Sequence, residues 1–459
     1  MDRAPHTGKN LFVRTFGCAM NVQDSARIHG ILALEGYRPV DREDDADVVI
    51  LNTCAIRDGT ERKFLGELGR LRQLRDGERR VLYGVGGCVA QELGERLLDQ
   101  VPHVDFVFGT QAIHRLPQTL ARVVEQGERV ADVAHCDDPE LVTGGLEARG
   151  QGPKAFVTVM QGCNMTCTYC IVPFTRGREV YRAPDAIVEE ARRRVDEGAQ
   201  EIHLIGQTVN SYWFGQSKKT DFADLLAAVA AVPGVERLRF STSHPRWVSP
   251  ALIDAFAGVP ALCESLHLPV QSGSDRVLRD MRRGYTAEQY RDIIAALRAA
   301  CPEIVLSTDI IVGYPGETDA DFAATMDLLE SLRFDQVYSF KFSPRPGTDA
   351  AGRADLVDDA VASTRLWELQ RRQGEITADA LRRHVGSEIE ILVEGPSKLG
   401  RGRMVGRTRG NTAVLFAGEP GWAGRRITVR VASSSRHTLQ GVALGAGTGA
   451  DRGAQAMGA

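Results

Sequence analysis

The feature that most constrains the fold is a recurrence of short, β-rich apolar runs near the start of the chain: NLFVRTFGC (10–18), DVVILNTC (47–54), RVLYGVGGC (80–88) and VDFVFG (104–109). Polar stretches of helical character separate them. Runs of this kind suit a parallel sheet with covering helices, because strands buried on both faces read as nearly continuous apolar segments. Three of the runs end in a cysteine: Cys18, Cys54 and Cys88. Functional groups gather beyond the carboxyl ends of strands in open parallel sheets, so three thiols far apart in sequence are expected along one edge. A buried thiol filling a gap explains any one of them. The repetition of the position, with glycine before Cys18 and Cys88, argues against that explanation for all three.

A stretch rich in glycine and charge, CDDPELVTGGLEARGQGP (136–153), reads as a linker. After it, six strand candidates alternate with helical patterns: KAFVTVMQGC (154–163), QEIHLIGQ (200–207), ERLRFSTSH (236–244), ESLHLPVQSGS (264–274), EIVLSTDIIVG (303–313) and QVYSFKFSPRPG (336–347). PDAIVEEARRRVDEG (184–198) has proline near its start and glycine past its end, as helix termini prefer. Six β/α repeats suggest a barrel or partial barrel. Cys163, Gln207, His244, Gln271, Gly313 and Arg345 fall at or just after the predicted strand ends, the rim on which such barrels place their chemistry.

The last third carries short alternating strands, EIEILVEG, NTAVLF and RRITVRV, between glycine-rich turns, the pattern of a small β-barrel. Residues 386–440 contain nine Lys or Arg against four Glu, a net of +5 in a chain of formal charge -4. That asymmetry points to a polyanion-binding module on an otherwise acidic protein, although a solvated basic face is the plainer reading. The longest apolar run, LLAAVAAV (225–232), is too short to cross a bilayer, and no signal-like segment opens the chain, so a cytoplasmic location without a membrane partner is expected. Nine cysteines in a reducing compartment are expected to be thiols or metal ligands.

Cys163, Cys167 and Cys170 form a C-x3-C-x2-C run, GCNMTCTYC. A closed zinc site takes four ligands and usually pairs two knuckles, and no second knuckle stands nearby. A four-iron cluster accepts three thiolates from one loop and leaves one iron open, and soft sulfur ligands suit it.

This run, placed after the first strand of a partial (β/α)6 barrel, resembles the radical S-adenosylmethionine (SAM) superfamily, in which SAM itself ligates the open iron. LIGQTVNSY (204–212), HLPVQSGS (267–274), MRRGYT (281–286), DIIVGYPGET (309–318) and FSPRPGTDAA (342–351) resemble core motifs of the radical SAM methylthiotransferase family. Cys18, Cys54 and Cys88 resemble that family's auxiliary-cluster ligands. VEGPSKLGRGRMVGRTRGN (393–411) is similar to the RNA-binding TRAM domain of the tRNA branch. The resemblance spans nearly the whole chain.

The fold it implies is α/β: an N-terminal parallel-sheet domain over residues 9–135, a linker at 136–148, a partial (β/α)6 radical SAM core at 149–382, a small TRAM β-barrel at 383–446 and a disordered tail at 447–459. The implied cofactors are SAM and two [4Fe-4S] clusters, one on Cys163, Cys167 and Cys170 and one on Cys18, Cys54 and Cys88. Tyr169, Gln207, Gln271 and Arg283 are implied SAM contacts, and Lys398, Arg403, Arg407 and Arg409 implied tRNA phosphate contacts. The implied reaction places a methylthio group on C2 of N6-(dimethylallyl)adenosine next to the anticodon of tRNAs that read codons beginning with U. A one-electron donor such as flavodoxin or ferredoxin and a sulfur source are implied partners of a monomeric enzyme.

Ala19, Thr208, Tyr181 and Ala183 depart from the family pattern, and none is expected to touch a cluster ligand. Cys136, Cys263 and Cys301 fit neither triad and are expected to be structural thiols. Two other readings remain open at this point: a sister methylthiotransferase acting on threonylcarbamoyl adenosine or a ribosomal protein, and a zinc-stabilised RNA-binding protein without catalysis.

Overall fold

The computed structural model describes residues 9–55, 64, 66–70, 81–136, 138–144, 152–215, 219–398 and 402–444. The expected tail at 447–459 and the end of the expected linker, 145–148, lie outside the described residues.

Strands β1 (Asn10–Thr15), β2 (Arg38–Pro39), β3 (Val48–Thr53), β4 (Leu82–Gly87), β5 (Phe106–Phe108) and β6 (Val130–Asp132) make one sheet in the order β2-β1-β3-β4-β5-β6. Every pair in it is parallel. Every residue of β3 and β4 is buried, because apolar clusters cover both faces. One contains Ile28, Leu32, Ile50 and Leu120, the other Leu51, Val85, Val89 and Leu97. Strands β2 and β6 add to the expected set; at two and three residues they are too short to leave a hydrophobic pattern.

The expected linker contains a short helix, Pro139–Thr143, capped by the Asp138 carboxylate. Arg27 on helix Ala19–Leu34 donates to the carbonyls of Leu141 at 3.0 Å and Val142 at 2.5 Å, so this piece of the linker is tied to the N-terminal domain.

In the next segment β7 (Lys154–Thr158) leads into a hairpin of β8 (Met160–Gln161) and β9 (Val180–Tyr181). After helix Pro184–Asp196 come β10 (Glu201–Ile205), a second hairpin of β11 (Trp213–Phe214) and β12 (Thr220–Asp221), and then β13 (Arg237–Phe240), β14 (Ser265–His267), β15 (Val305–Val312) and β16 (Gln336–Lys341). β7, β10 and β13 pair in parallel, as do β14, β15 and β16. A parallel bridge between Leu238 and Leu262 joins the two groups into an arc. Among the described residues no pairing closes β16 onto β7, so the barrel is partial. Along β15 burial alternates strictly, with Leu306, Thr308, Ile310 and Val312 buried toward the helices and Ser307, Asp309 and Ile311 turned to the more open lumen.

Five strands form the closed C-terminal barrel: β17 (Glu388–Pro396), β18 (Arg403–Arg407), β19 (Ala413–Ala417), β20 (Arg426–Ser434) and β21 (Leu439–Ala443), in the order β17-β18-β19-β21-β20. Ile391, Val393, Met404, Phe416 and Val429 fill it. No helix among the described residues is long and apolar enough to cross a membrane.

Arginines hold this barrel to the lower end of the partial barrel. Arg237 and Arg239 donate to the carbonyls of Arg407, Thr408 and Arg409 at 2.6–2.8 Å. Arg409 returns the contact, giving Nε and Nη2 to the Glu264 carboxylate at 2.8–3.0 Å and Nη2 to the Leu262 carbonyl at 2.7 Å. Nε and Nη2 of Arg409, expected to meet tRNA phosphate, are here engaged by a carboxylate and a backbone carbonyl. Arg409→Ala should therefore loosen the domain junction, on the order of 1–3 kcal/mol for lost charge-assisted bonds. Limited proteolysis should release the C-terminal domain faster than in the wild type, with no change in iron content.

Candidate functional site

Parallel register gathers the first three thiols. Thr53 pairs with Gly87, so Cys54 and Cys88 leave adjacent strands side by side. Cys18 comes to them through the turn after β1, where Phe16 N–H donates to the Asn52 carbonyl at 2.8 Å. Gly17 has φ +125°, and a Cβ there would lie 2.5 Å from Cys54 Cβ, so only glycine lets the Cys18 turn close against Cys54. Buried Asn21 ties the Cys18 turn to the end of β3. Its Oδ1 accepts from Cys18 N at 3.3 Å and from Cys18 Sγ at 3.4 Å, while its Nδ2 donates to the Thr53 carbonyl at 2.9 Å. Cys54 and Cys88 are buried and Cys18 is exposed, which leaves one side of the triad open.

The second triad occupies the loop after β8. Gly162, at φ +85°, cannot carry a side chain, because its Cβ would fall 1.9 Å from the Arg178 carbonyl oxygen. Its N–H donates to Gln207 Oε1 at 2.5 Å, and Cys163 N–H donates to the Gly177 carbonyl at 3.1 Å. Thr168 fixes the far side of the loop: its N–H reaches the Met281 carbonyl at 3.3 Å and its hydroxyl lies 2.7 Å from Tyr314 Oη. Cys163, Cys167 and Cys170 are all half-buried.

Burial pushes the Cys88 thiol up, opposed by the charge of Arg176. It also raises Cys163, opposed by the Thr208 hydroxyl, and pushes Cys170 up to about 12 with the help of neighbouring Cys167. Such thiols keep their protons at neutral pH unless a metal takes the proton's place. Among the described residues no three His, Cys, Asp or Glu side chains are disposed around a single ion. A cuboidal iron–sulfur cluster makes a different demand, since each thiolate binds a different iron and the ligands stand farther apart. Two all-thiol donor sets with no carboxylate or imidazole among them fit that chemistry.

The expected SAM contacts divide. Gln271 has φ +76°, held by backbone bonds to Asp309 and Ile311 at 2.8 and 2.9 Å. Thr242 and Arg282 are also left-handed and also follow the barrel strands or flank the rim, where strain of this kind marks functional positions. Gln207 supports the cluster loop through Gly162. All three nitrogens of Arg283, expected to contact SAM, are engaged by protein. Nε donates to Tyr285 Oη at 3.0 Å, Nη2 to the Pro269 carbonyl at 2.9 Å, and Nη1 to Cys167 Sγ at 3.5 Å and Tyr169 Oη at 3.4 Å. It is 5% exposed. Arg283 therefore braces Cys167, and Tyr169 beside it joins a small apolar group with Val277, Met281 and Tyr314.

One departure from the family pattern, Thr208, contacts an expected ligand against expectation, and a second, Tyr181, reaches the same loop only through Glu179. Thr208 Oγ1 lies 3.5 Å from Cys163 Sγ. Tyr181 Oη donates to Glu179 at 2.5 Å, and Glu179 in turn accepts from Asn164, the residue after Cys163, at 3.2–3.3 Å. His244 at the rim is buried and neutral; burial, then the charges of Arg283 and Arg246, holds its pKa down to about 2. Cys263 and Cys301 are buried and Cys136 is half-buried, all apart from the triads in sequence.

On the C-terminal barrel Lys398 and Arg403 are exposed. Arg403 makes one long contact to Gln440 at 3.4 Å, and Arg407 is partly engaged by Glu394 at 3.3 Å and the Asn411 carbonyl at 2.9 Å. Residues 399–401, between Lys398 and this strand, lie outside the described residues.

Comparison with known proteins follows the same three parts. A model described as the Radical SAM superfamily matches residues 157–329, one described as Uncharacterized protein family UPF0004 matches residues 10–109, and the TRAM domain model matches residues 382–444. Among solved structures, the radical S-adenosylmethionine methyltransferase TsrM from Kitasatospora setae superposes with a TM-score of 0.55 at 15% identity over 75% of each chain, which shows a shared fold. The tRNA-2-methylthio-N(6)-dimethylallyladenosine synthase of Geobacter metallireducens is 46% identical over 94% of this chain and 98% of its own. The synthase of the same name from Leptothrix cholodnii is 44% identical over 96% and 95%. Identity at this level, along nearly the full length of both partners and across both cysteine triads, places the chain in the family of tRNA-2-methylthio-N(6)-dimethylallyladenosine synthases, radical SAM enzymes that use SAM and a [4Fe-4S] cluster.

Proposed function

We propose that this chain converts N6-(dimethylallyl)adenosine, next to the anticodon of tRNAs reading codons that begin with U, to its 2-methylthio derivative. The observation that carries the reading is the 46% identity over 94% of the chain to synthases of that name. The thiols support it: one triad sits on the barrel loop and another at the edge of the N-terminal sheet.

Cys163, Cys167 and Cys170 would hold the radical SAM cluster and leave its fourth iron to SAM; Cys18, Cys54 and Cys88 would hold a second [4Fe-4S] cluster. When bound, these groups supply one-electron cleavage of SAM and the sulfur to be transferred, chemistry that no side chain of the protein could perform on an aromatic C–H bond. The protein supplies position. Gln207 fixes the loop through the Gly162 amide, Arg283 holds Cys167 from behind, and neutral His244 adds no charge at the rim. Exposed Lys398 and Arg403 would meet tRNA phosphate, which positions the substrate without specifying it. The remaining parts of the proposal are a flavodoxin- or ferredoxin-like electron donor and action in the cytoplasm.

The direct test is nucleoside mass spectrometry of tRNA from cells lacking and then regaining this protein. Loss and return of the methylthio group on dimethylallyl adenosine is expected; a change confined to threonylcarbamoyl adenosine or to a ribosomal protein would overturn the assignment. The two triads should also separate in vitro. Cys163→Ala should abolish 5′-deoxyadenosine formation, whereas Cys88→Ala should leave SAM cleavage within a few-fold of the wild type and eliminate methylthiolated product, as measured by liquid chromatography of both products.

A further inference from the structure

The boundary between the N-terminal domain and the barrel buries an excess of positive charge. Arg27, Arg176, Arg182 and Arg194 are each 5% exposed or less, and the acids buried with them to that degree are Asp24 and Glu190. Glu190 is taken by Arg182 and by Arg194, the latter at 3.6 Å, and Arg194 also meets Glu197 at 3.0 Å. Arg27 is engaged by the linker carbonyls. Arg176 differs. Its Nη2 pairs with Asp24 Oδ2 at 2.7 Å and its charge acts on the Cys88 thiol, while Nη1 is buried without a well-formed hydrogen bond among the described residues. A buried guanidinium nitrogen left without an acceptor is costly, so a further acceptor is expected beside Nη1.

The fold shows where those donors stand. Arg176 ends helix Val172–Arg176, which begins two residues after Cys170, and this helix packs against helix Cys88–Leu93. The N-terminal domain holds it there, since Thr110 Oγ1 donates to the Thr175 carbonyl at 2.6 Å and Gln111 Nε2 to the Arg176 carbonyl at 2.9 Å. The charges that act on Arg176 are those of Asp24, Cys88 and Cys18. Asp24 lies on the helix that Cys18 precedes. One arginine thus belongs in sequence to the Cys163–Cys170 loop and in space to the triad of Cys18, Cys54 and Cys88.

We propose that Arg176 is a positioning residue for the auxiliary cluster, acting as the buried counter-charge and hydrogen-bond donor to sulfur on the Cys88 side and thereby raising the cluster's reduction potential. The inference rests on the reading that Cys18, Cys54 and Cys88 hold a second cluster. Hydrogen bonds to cluster sulfur and nearby positive charge both favour the reduced, more negative state. Arg176 would also make the seating of the auxiliary cluster depend on a helix that starts at the other one.

The test uses the full chain carrying Cys163→Ala, Cys167→Ala and Cys170→Ala, reconstituted anaerobically, so that any remaining cluster is the auxiliary one. Its midpoint is read by redox titration followed by electron paramagnetic resonance. Adding Arg176→Gln should shift the midpoint to more negative potential with iron retained, Arg176→Lys should restore most of the shift, and Asp24→Asn should shift it the opposite way. Opposite signs from two partners of one ion pair are not produced by loosened packing. Unchanged midpoints and line shapes in Arg176→Gln and Asp24→Asn, with iron retained, would overturn the proposal. If Arg176→Gln fails to fold, an unchanged midpoint in Asp24→Asn, with iron retained, would overturn it equally. If the parent triple variant takes up neither iron nor sulfide, the second-cluster reading itself fails and takes this inference with it.

Discussion

Parallel pairing of β3 with β4, with Thr53 opposite Gly87, is the constraint on which the first triad depends. Side chains in a parallel sheet are delivered to the edge in strand order, so a slip of one residue would turn the whole apolar set to the other face and separate Cys54 from Cys88. Burial of both faces of β3 and β4 makes such a slip costly. Hydrophobic packing of the sheet thus fixes the position of thiols that take no part in the packing. Cys18 needs one further device, the glycine turn that brings it against Cys54.

The second triad depends on bonds at longer range. Its loop is held by Gln207 after β10, by Met281 and Arg283 from the segment beyond β14, and by Tyr314 after β15. Supports from three β/α units make the loop geometry a property of the assembled barrel. They also keep the carboxyl rim crowded with polar groups, whose bonds are stronger in partly dry surroundings than in water. The two cysteine triads share a boundary of buried arginines, in which Arg176 follows one triad in sequence and pairs with Asp24 beside the other.

Much of this was legible in the sequence. The cysteine spacing, the three strand runs ending in thiols and the six β/α repeats each rest on a local pattern, and local patterns survive without coordinates. Edge strands such as β2 and β6 did not show, because two or three residues cannot establish a period. In the C-terminal barrel RMVGR (β18) and LQGVA (β21) were missed for a similar reason, since charge and glycine break their alternation. Contacts between distant residues were unseen. Arg409 looked like a phosphate ligand and is bound to Glu264, 145 positions away; Arg283 looked like a SAM contact and braces Cys167, 116 positions away. Thr208 looked remote from the cluster ligands and lies against Cys163. Nothing in a linear reading pairs Asp24 with Arg176.

The central claim is that six thiols act as two sets of three, each holding its own cluster. The most direct measurement is iron and acid-labile sulfide per chain after anaerobic reconstitution, made on the wild type and on each triple Cys→Ala variant. The account predicts about eight of each per wild-type chain and about four per variant, whichever triad is removed. A wild type that binds only about four, or a variant whose loss of one triad empties both sites of iron in an otherwise folded protein, would contradict it.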